Sequence, residues 1–210
     1  GKKLLPDSFT DENRIDSIQG IYVPFWLFDA DADASLSFRA TQVSCWSDSN
    51  YDYTRTSYYQ VLRAGKIAFD RVPVDGSKKM DDTYMEAIEP YNYADLEDFG
   101  TPYLAGYLAD RYDVDADAST PRANERIKNS TAAAFRATVH GYASCTPTGS
   151  NINLSNRNIR YALLPVWLLN TKYRDEMYTF AMNGQTGKLV GDLPVDKRKV
   201  AAWFAGISVR

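Results

Sequence analysis

Alternating carboxylates are the most conspicuous chemistry in the chain. Asp29-Ala30-Asp31-Ala32-Asp33-Ala34-Ser35 carries an acid at every second position, and Asp113-Val114-Asp115-Ala116-Asp117 does the same. Such spacing matches the first three ligands of a calcium loop, whose oxygens must converge on one hard cation. The rest of that loop is missing, because neither run has Gly at the sixth position or Glu at the twelfth. The plainer reading is a solvated hairpin tip for the first run and a helix-to-helix connection with N-terminal carboxylates for the second. Acids converging in a cleft could also serve a hydrolase, and Asp29, Asp31 and Asp33 are the candidates for that chemistry.

Other motifs fail on a missing residue. Gln185-Thr186-Gly187-Lys188 looks like the tail of a phosphate loop, but Met182 and Leu189 stand where Gly and Ser or Thr are required. Two cysteines, Cys45 and Cys145, cannot make a disulfide framework or a four-cysteine zinc site. The single histidine, His140, excludes multi-histidine metal centres, and no Gly-x-Ser-x-Gly is present. No catalytic residue, cofactor or metal ligand is therefore assigned to this segment. With 27 Asp+Glu against 24 Lys+Arg, the net charge of -3 lacks the footprint of a dedicated nucleic-acid binder. Direct nucleic-acid binding by this segment is not expected.

Two features bear on partners. Tyrosines gather at Tyr51, Tyr53, Tyr58 and Tyr59, and again at Tyr91, Tyr93, Tyr103, Tyr107 and Tyr112. At strand and helix spacing these read as core and cross-strand pairs rather than as a binding face. Near the end, Lys197-Arg198-Lys199 precedes Val200-Ala201-Ala202-Trp203-Phe204, the pattern of the cytoplasmic flank of a membrane helix. That apolar stretch is too short to span, so the alternative is a docked terminal helix. A chain that begins with Gly reads as a piece of something longer.

The elements that must position these residues come from periodicity and from an internal repeat. Ile21-Tyr22-Val23-Pro24-Phe25-Trp26-Leu27-Phe28-Asp29 matches Ala162-Leu163-Leu164-Pro165-Val166-Trp167-Leu168-Leu169-Asn170. Gly65-Lys66 through Pro73-Val74-Asp75 likewise resembles Gly187-Lys188 through Pro194-Val195-Asp196. Pro24, Trp26, Pro165 and Trp167 are thus the structural residues of a duplicated unit, with both tryptophans buried. Each copy is expected to be a small antiparallel sheet. Ala64-Gly65 and Asn183–Gly187 would be its tight turns, and Ser35–Val43 an added strand in the first copy. Helices are expected over Asp11–Ile18, Tyr93–Phe99, Pro102–Tyr112 and from Ser119 towards Val139. The expected class is α+β: two similar antiparallel-sheet lobes, each preceded by helix. The boundaries are a first repeat over 1–90, a helical connector over 91–118, a second repeat over 119–196, and a basic and aromatic tail over 197–210.

On Lys2-Lys3-Leu4-Leu5-Pro6, the two Trp phrases, Tyr103-Leu104-Ala105-Gly106-Tyr107 and the final hairpin through Leu193-Pro194-Val195-Asp196, the chain resembles a family of uncharacterised bacterial (Firmicutes) proteins. Members are often labelled transcription-factor-B-type zinc ribbon or replication-restart-helicase-like. The resemblance implies a zinc ribbon before this segment, a membrane helix after it, and a place on the cytoplasmic face of the membrane. The ribbon cysteines are absent here, so no ligand carries over, and the failed phosphate loop leaves no helicase ATPase. The expectation is a non-catalytic, membrane-proximal domain that binds a protein or peptide partner. A carboxylate-based hydrolase with a cleft between the lobes, or a scaffold for a nucleic-acid-binding ribbon, are the alternatives.

Overall fold

The computed structural model describes residues 15–105, 108–173 and 176–191. Three long strands dominate, β1 (Ile15–Ser47), β2 (Asp52–Asp75) and β4 (Ser144–Tyr173), with short β3 (Leu108–Ala109), β5 (Glu176–Asn183) and β6 (Leu189–Gly191). The helices are α1 (Asp82–Ala87) and α2 (Ala116–Ala137). The strands form one sheet in the order β2-β1-β4-β5-β6, and β3 lies parallel to β1 through Ile21 opposite Leu108. β4 and β5 are antiparallel from Val166 opposite Asn183 to Tyr173 opposite Glu176.

The two-lobed α+β expectation is therefore corrected: the described residues form a mostly antiparallel six-stranded sheet with two α-helices. The physical reason is visible in β1. No Gly, Pro or Asn separates Phe25 from Val43, so nothing ends the strand. Counting Ala as apolar, the period of two runs unbroken through Phe28, Ala30, Ala32, Ala34, Leu36, Phe38 and Ala40, all of them buried. The supposed hairpin tip is mid-strand, and Ser35–Val43 continues the strand instead of adding one. Ala64-Gly65 is likewise interior to β2, whereas Gly187, at φ 73°, does sit in the turn before β6. The sequence phrases that were set against each other thus take different structures.

Helix was also overestimated. The described part of Asp11–Ile18 is strand from Ile15, and the described residues of Tyr93–Tyr112 form short 3-10 turns at Tyr93–Asp95 and Thr101–Leu104 before β3. Leu96, Phe99 and Tyr103 there are exposed, so no apolar face exists to stabilise a helix. α2 forms where the 3.6 period is real. Asp115 caps it by accepting from the Ala118 N–H at 2.8 Å, and Ser119, Ala123, Ile127, Thr131 and Phe135 make one buried stripe.

The chain comprises two compact units, each discontinuous in sequence. One contains the described residues of 15–25, 75–114 and 162–191. Its interior includes Val23, Phe25, Met85, Ile88, Tyr91, Leu164, Val166 and Phe180. Asn183, fully buried, is its polar clasp: Nδ2 donates to the Ile88 and Pro90 carbonyls at 3.0 and 3.2 Å, while Oδ1 accepts from the Gln185 and Thr186 N–H groups, each at 2.9 Å. All four hydrogen-bonding positions of the amide are used, which offsets its burial. The turn therefore fastens to the segment after α1 as well as joining β5 to β6.

The other unit contains 26–74 and 115–161. Here α2 covers one face of the β2-β1-β4 stretch. Ala30 and Ala32 share a buried cluster with Ile127 of the helix, and Phe135 joins the cluster of Ala34, Leu36, Phe38, Ala40 and Val61. Alanine is a poor strand former, but its short side chain lets the helix approach closely enough to fill the interface. Gly65 lies beside the same helix, and a Cβ there would sit 3.5 Å from the Phe135 ring, an ordinary contact.

Candidate functional site

Asp29, Asp31 and Asp33 project from the face of β1 opposite α2, because their even-numbered neighbours are under the helix. Each meets a cation from an adjacent strand. Arg160 on β4 brings Nη2 to 2.8 Å from Asp29 Oδ2, Arg157 brings Nε to 3.2 Å from Asp31, and Lys66 on β2 brings Nζ to 3.5 Å from Asp33. Alternate residues of an extended strand stand about 6.6–7 Å apart. They therefore cannot converge on a cation with bonds of about 2.3–2.6 Å. Among the described residues no group of three His, Cys, Asp or Glu is placed to hold a metal ion.

Asp29 differs from the other two in being buried, at 4% exposed. The cause is a bulge in β2. Phe69 and Val72 both pack against the Ala30–Ala32–Ile127 cluster although they are three residues apart, which strict alternation forbids. One extra residue lies between them, and Arg71 has the left-handed φ of 55° that such a bulge uses. The Arg71 N–H turns to Asp29 Oδ1 at 2.9 Å. Asp70, alongside, lies 3.4 Å from Arg71 Nε and 3.9 Å from Arg160 Nη1. Burial pushes the Asp29 carboxyl up, but the Arg71 N–H, the Asp70 carboxyl and the Arg160 and Arg157 guanidiniums together hold it below the ordinary range. Asp29 is thus a stable anion, suited to joining three strands and poorly suited to giving up a proton near neutrality.

The other sequence-selected residues scatter. Trp26 packs half-buried beside Phe28, Val74 and Ala123, its ring 5.1 Å from Tyr161. Trp167 is also half-buried, in the other unit, so the two tryptophans, expected to be buried in equivalent places, are each only partly covered. Pro24 and Pro165 lie inside strands and act through their carbonyls: Gly76 N–H donates to Pro24, and Gly184 N–H and Tyr91 Oη donate to Pro165. Burial pushes the Tyr91 hydroxyl well above its ordinary pKa, so it remains a donor. Cys45 and Cys145 are free thiols. Lys197, Arg198, Lys199 and Trp203 lie outside the described residues.

The first tyrosine cluster is corrected as core but holds as cross-strand pairing, since Tyr53 and Tyr59 of β2 both reach side chains of β1. Tyr51, Tyr53, Tyr58 and Tyr59 are all exposed, Tyr58 at 70%. At the β1–β2 turn, Trp46 stacks on Tyr53 with centroids 5.5 Å apart, and Arg55 lies 6.0 Å from the Trp46 ring. Asp48 ties the turn together, accepting from Asn50 N–H, Tyr53 Oη and Tyr51 N–H, contacts that hold its carboxyl below the ordinary range. Sequence reasoning missed Lys66, Asp70, Arg71, Arg157 and Arg160. A strand carrying acids at alternate positions in a sheet needs cations on its neighbours, and Arg157 and Arg160 were the available signal.

No protein-family model matches the chain, and no solved structure does. The chain is similar to the uncharacterized protein YdjG of Bacillus subtilis (strain 168). The two are 40% identical over 205 residues, which cover 98% of this chain and 60% of that protein. The chain thus spans about 60% of the length of this bacterial relative.

Proposed function

We propose that this segment is a non-catalytic protein- or peptide-binding domain, held close to the cytoplasmic face of a membrane in a zinc-ribbon-containing protein. The observation that carries the binding part is β2, which ends the sheet among the described residues and exposes Tyr53, Tyr58, Tyr59 and Leu62. An open strand edge flanked by exposed aromatics can accept an extended segment through backbone hydrogen bonds, with side chains supplying selectivity. The membrane-proximal part rests on the family resemblance and on the Lys197–Trp203 pattern. Among the described residues no helix is long and apolar enough to cross a membrane.

What weighs against a carboxylate hydrolase is that each acid of the Asp29–Asp33 run is engaged laterally by a cation. The test is a fluorescence-anisotropy screen of extended decapeptides against the chain, repeated with Tyr58→Asp. Saturable binding that the substitution weakens supports the reading. Hydrolytic turnover that Asp31→Asn abolishes, with no peptide binding, overturns it.

A further inference from the structure

The chain contains one Asn-Gly pair, Asn183-Gly184, and one Asp-Gly pair, Asp75-Gly76. Asparagine is thermolabile, and most so before glycine, whose bare Cα lets its own nitrogen reach the preceding side-chain carbonyl carbon. Turn chemistry accounts for an Asn-Gly pair beside a hairpin, but not for the way both pairs are held. Asn183 is fully buried and Asp75 nearly so. In each pair the glycine N–H, the nitrogen that would attack, donates to the carbonyl of a strand proline: Gly184 to Pro165 and Gly76 to Pro24, both at 2.8 Å. At Asn183 the side chain is fixed as well, with Nδ2 on the Ile88 and Pro90 carbonyls and Oδ1 on the Gln185 and Thr186 N–H groups. Its own N–H donates to the Lys188 carbonyl and its carbonyl accepts from Gly187, each at 2.9 Å. The two reacting atoms cannot swing together without breaking several of these bonds. Packing also keeps the labile pair in place, since a Cβ at Gly184 would lie 2.7 Å from that of Pro165.

We propose that Asn183-Gly184 is a modification site that becomes reactive only when its unit opens, so that deamidation there makes the unfolding of this chain irreversible. In the opened chain the Gly184 nitrogen adds to Asn183 Cγ. The new N–Cγ bond forms as Cγ–Nδ2 breaks, and Nδ2 leaves as ammonia with the proton that the Gly184 nitrogen gives up. One water then opens the succinimide ring, at Cγ to give aspartate or at the main-chain carbonyl to give isoaspartate. The net change is water consumed and ammonia released, with no oxidation or reduction. Neither product rebuilds the clasp. Aspartate brings an acceptor oxygen to the Ile88 and Pro90 carbonyls, where the amide donated. Isoaspartate adds a methylene to the main chain where Asn183 lies opposite Val166, and moves the turn out of register with β4.

Mass spectrometry of the tryptic peptide 175–188, whose single asparagine is Asn183, tests this on the full chain. Two samples are held in the same mildly alkaline buffer, one native and one unfolded in guanidinium chloride. Deamidation should be on the order of 100-fold slower in the native sample, because only the opened fraction reacts. When the unfolded sample is returned to native buffer, unmodified molecules should regain the original guanidinium midpoint and modified ones should not. Gly184→Ala, held unfolded, should convert far more slowly, since its Cβ crowds the attacking nitrogen; this arm does not require the variant to fold. Equal rates in the native and unfolded samples overturn the shielding. No conversion in the unfolded chain, or undiminished conversion in Gly184→Ala, overturns the chemistry. A deamidated chain that refolds with the original midpoint overturns the irreversibility, and with it the proposal.

Discussion

Arg160 Nη2 stands 2.8 Å from Asp29 Oδ2, joining β4 to β1 across 131 positions of sequence. The carboxylate is buried and the guanidinium is about half exposed, so the two ends of the bond are not equivalent. Removing the arginine leaves a buried anion with the Arg71 N–H and the carboxyl of Asp70 beside it. Removing the aspartate leaves a cation that can reach water. Arg160→Ala is therefore expected to cost about 2–3 kcal/mol, towards the low end for breaking a buried pair. Asp31→Ala, which loses only the exposed pair with Arg157, should cost less than about 1 kcal/mol. Urea midpoints of the two variants check the difference.

Acid should weaken the fold through the same groups. Asp29, Asp48, Asp81 and Asp110 are all held below the ordinary aspartate value of 3.8. For Asp110, burial opposes the shift, and the Lys79 and Ser77 side chains and the Arg111 N–H outweigh it. A folded-state pKa below the unfolded one gives stability that is fully present above the unfolded value and is lost as pH falls through the folded one. Stability should thus be flat from neutrality to about pH 5 and decline below about pH 4. Urea unfolding at stepped pH measures this, and Arg160→Ala should shrink the Asp29 share of the decline.

The Asn183 clasp gives a sharper test of the other unit. Asn183→Ala takes the amide partner from the buried Ile88 carbonyl, the Pro90 carbonyl and two turn N–H groups, at an expected cost of about 2–3 kcal/mol. Asn183→Asp keeps the acceptor for the turn but points a carboxylate oxygen at two carbonyls. It should be at least as damaging at pH 7 and should recover partly in acid, where the protonated carboxyl can donate one bond.

Glycine substitutions separate the strand reading of Gly65 from the turn reading. Gly65 has no positive φ, and its added Cβ would meet Phe135 at ordinary contact distance. Gly65→Ala should be neutral or stabilise by up to about 1 kcal/mol by restricting the unfolded chain. At Gly184 a Cβ would fall 2.7 Å from that of Pro165, and at Gly191 it would run into the Phe180 ring. Either change to Ala should cost about 1–3 kcal/mol through overpacking. Thermal unfolding of the three variants ranks them.

The half-burial of both tryptophans lowers what their removal should cost. Trp26→Ala loses the Tyr161 ring contact and packing against Phe28 and Val74, about 2–3 kcal/mol against the roughly 3–5 of a fully buried aromatic. Unfolding of Trp26→Ala and Trp26→Phe, followed by circular dichroism, distinguishes lost packing from lost indole contacts.

Local signals by themselves determined α2 from Ser119 onward with its apolar stripe, though it starts three residues earlier, at Ala116 under the Asp115 cap, and they determined the Asn183–Gly187 turn leading to β6. Both depend on capping and turn chemistry within a few residues, which composition displays directly. The length of β1 was also written in its unbroken alternation from Phe28 to Ala40, but alanine hid it by serving as the buried residue. Only the tertiary structure decided that Asp29, Asp31 and Asp33 form a ladder of lateral ion pairs, because their partners come from strands 33 to 131 positions away. It alone revealed the Arg71 bulge, which follows from Phe69 and Val72 competing for the same helix. It alone left Tyr58 and Leu62 exposed: strand periodicity states which residues share a face, but whether a helix covers that face or another strand lies beside it depends on chain packed from far away in sequence.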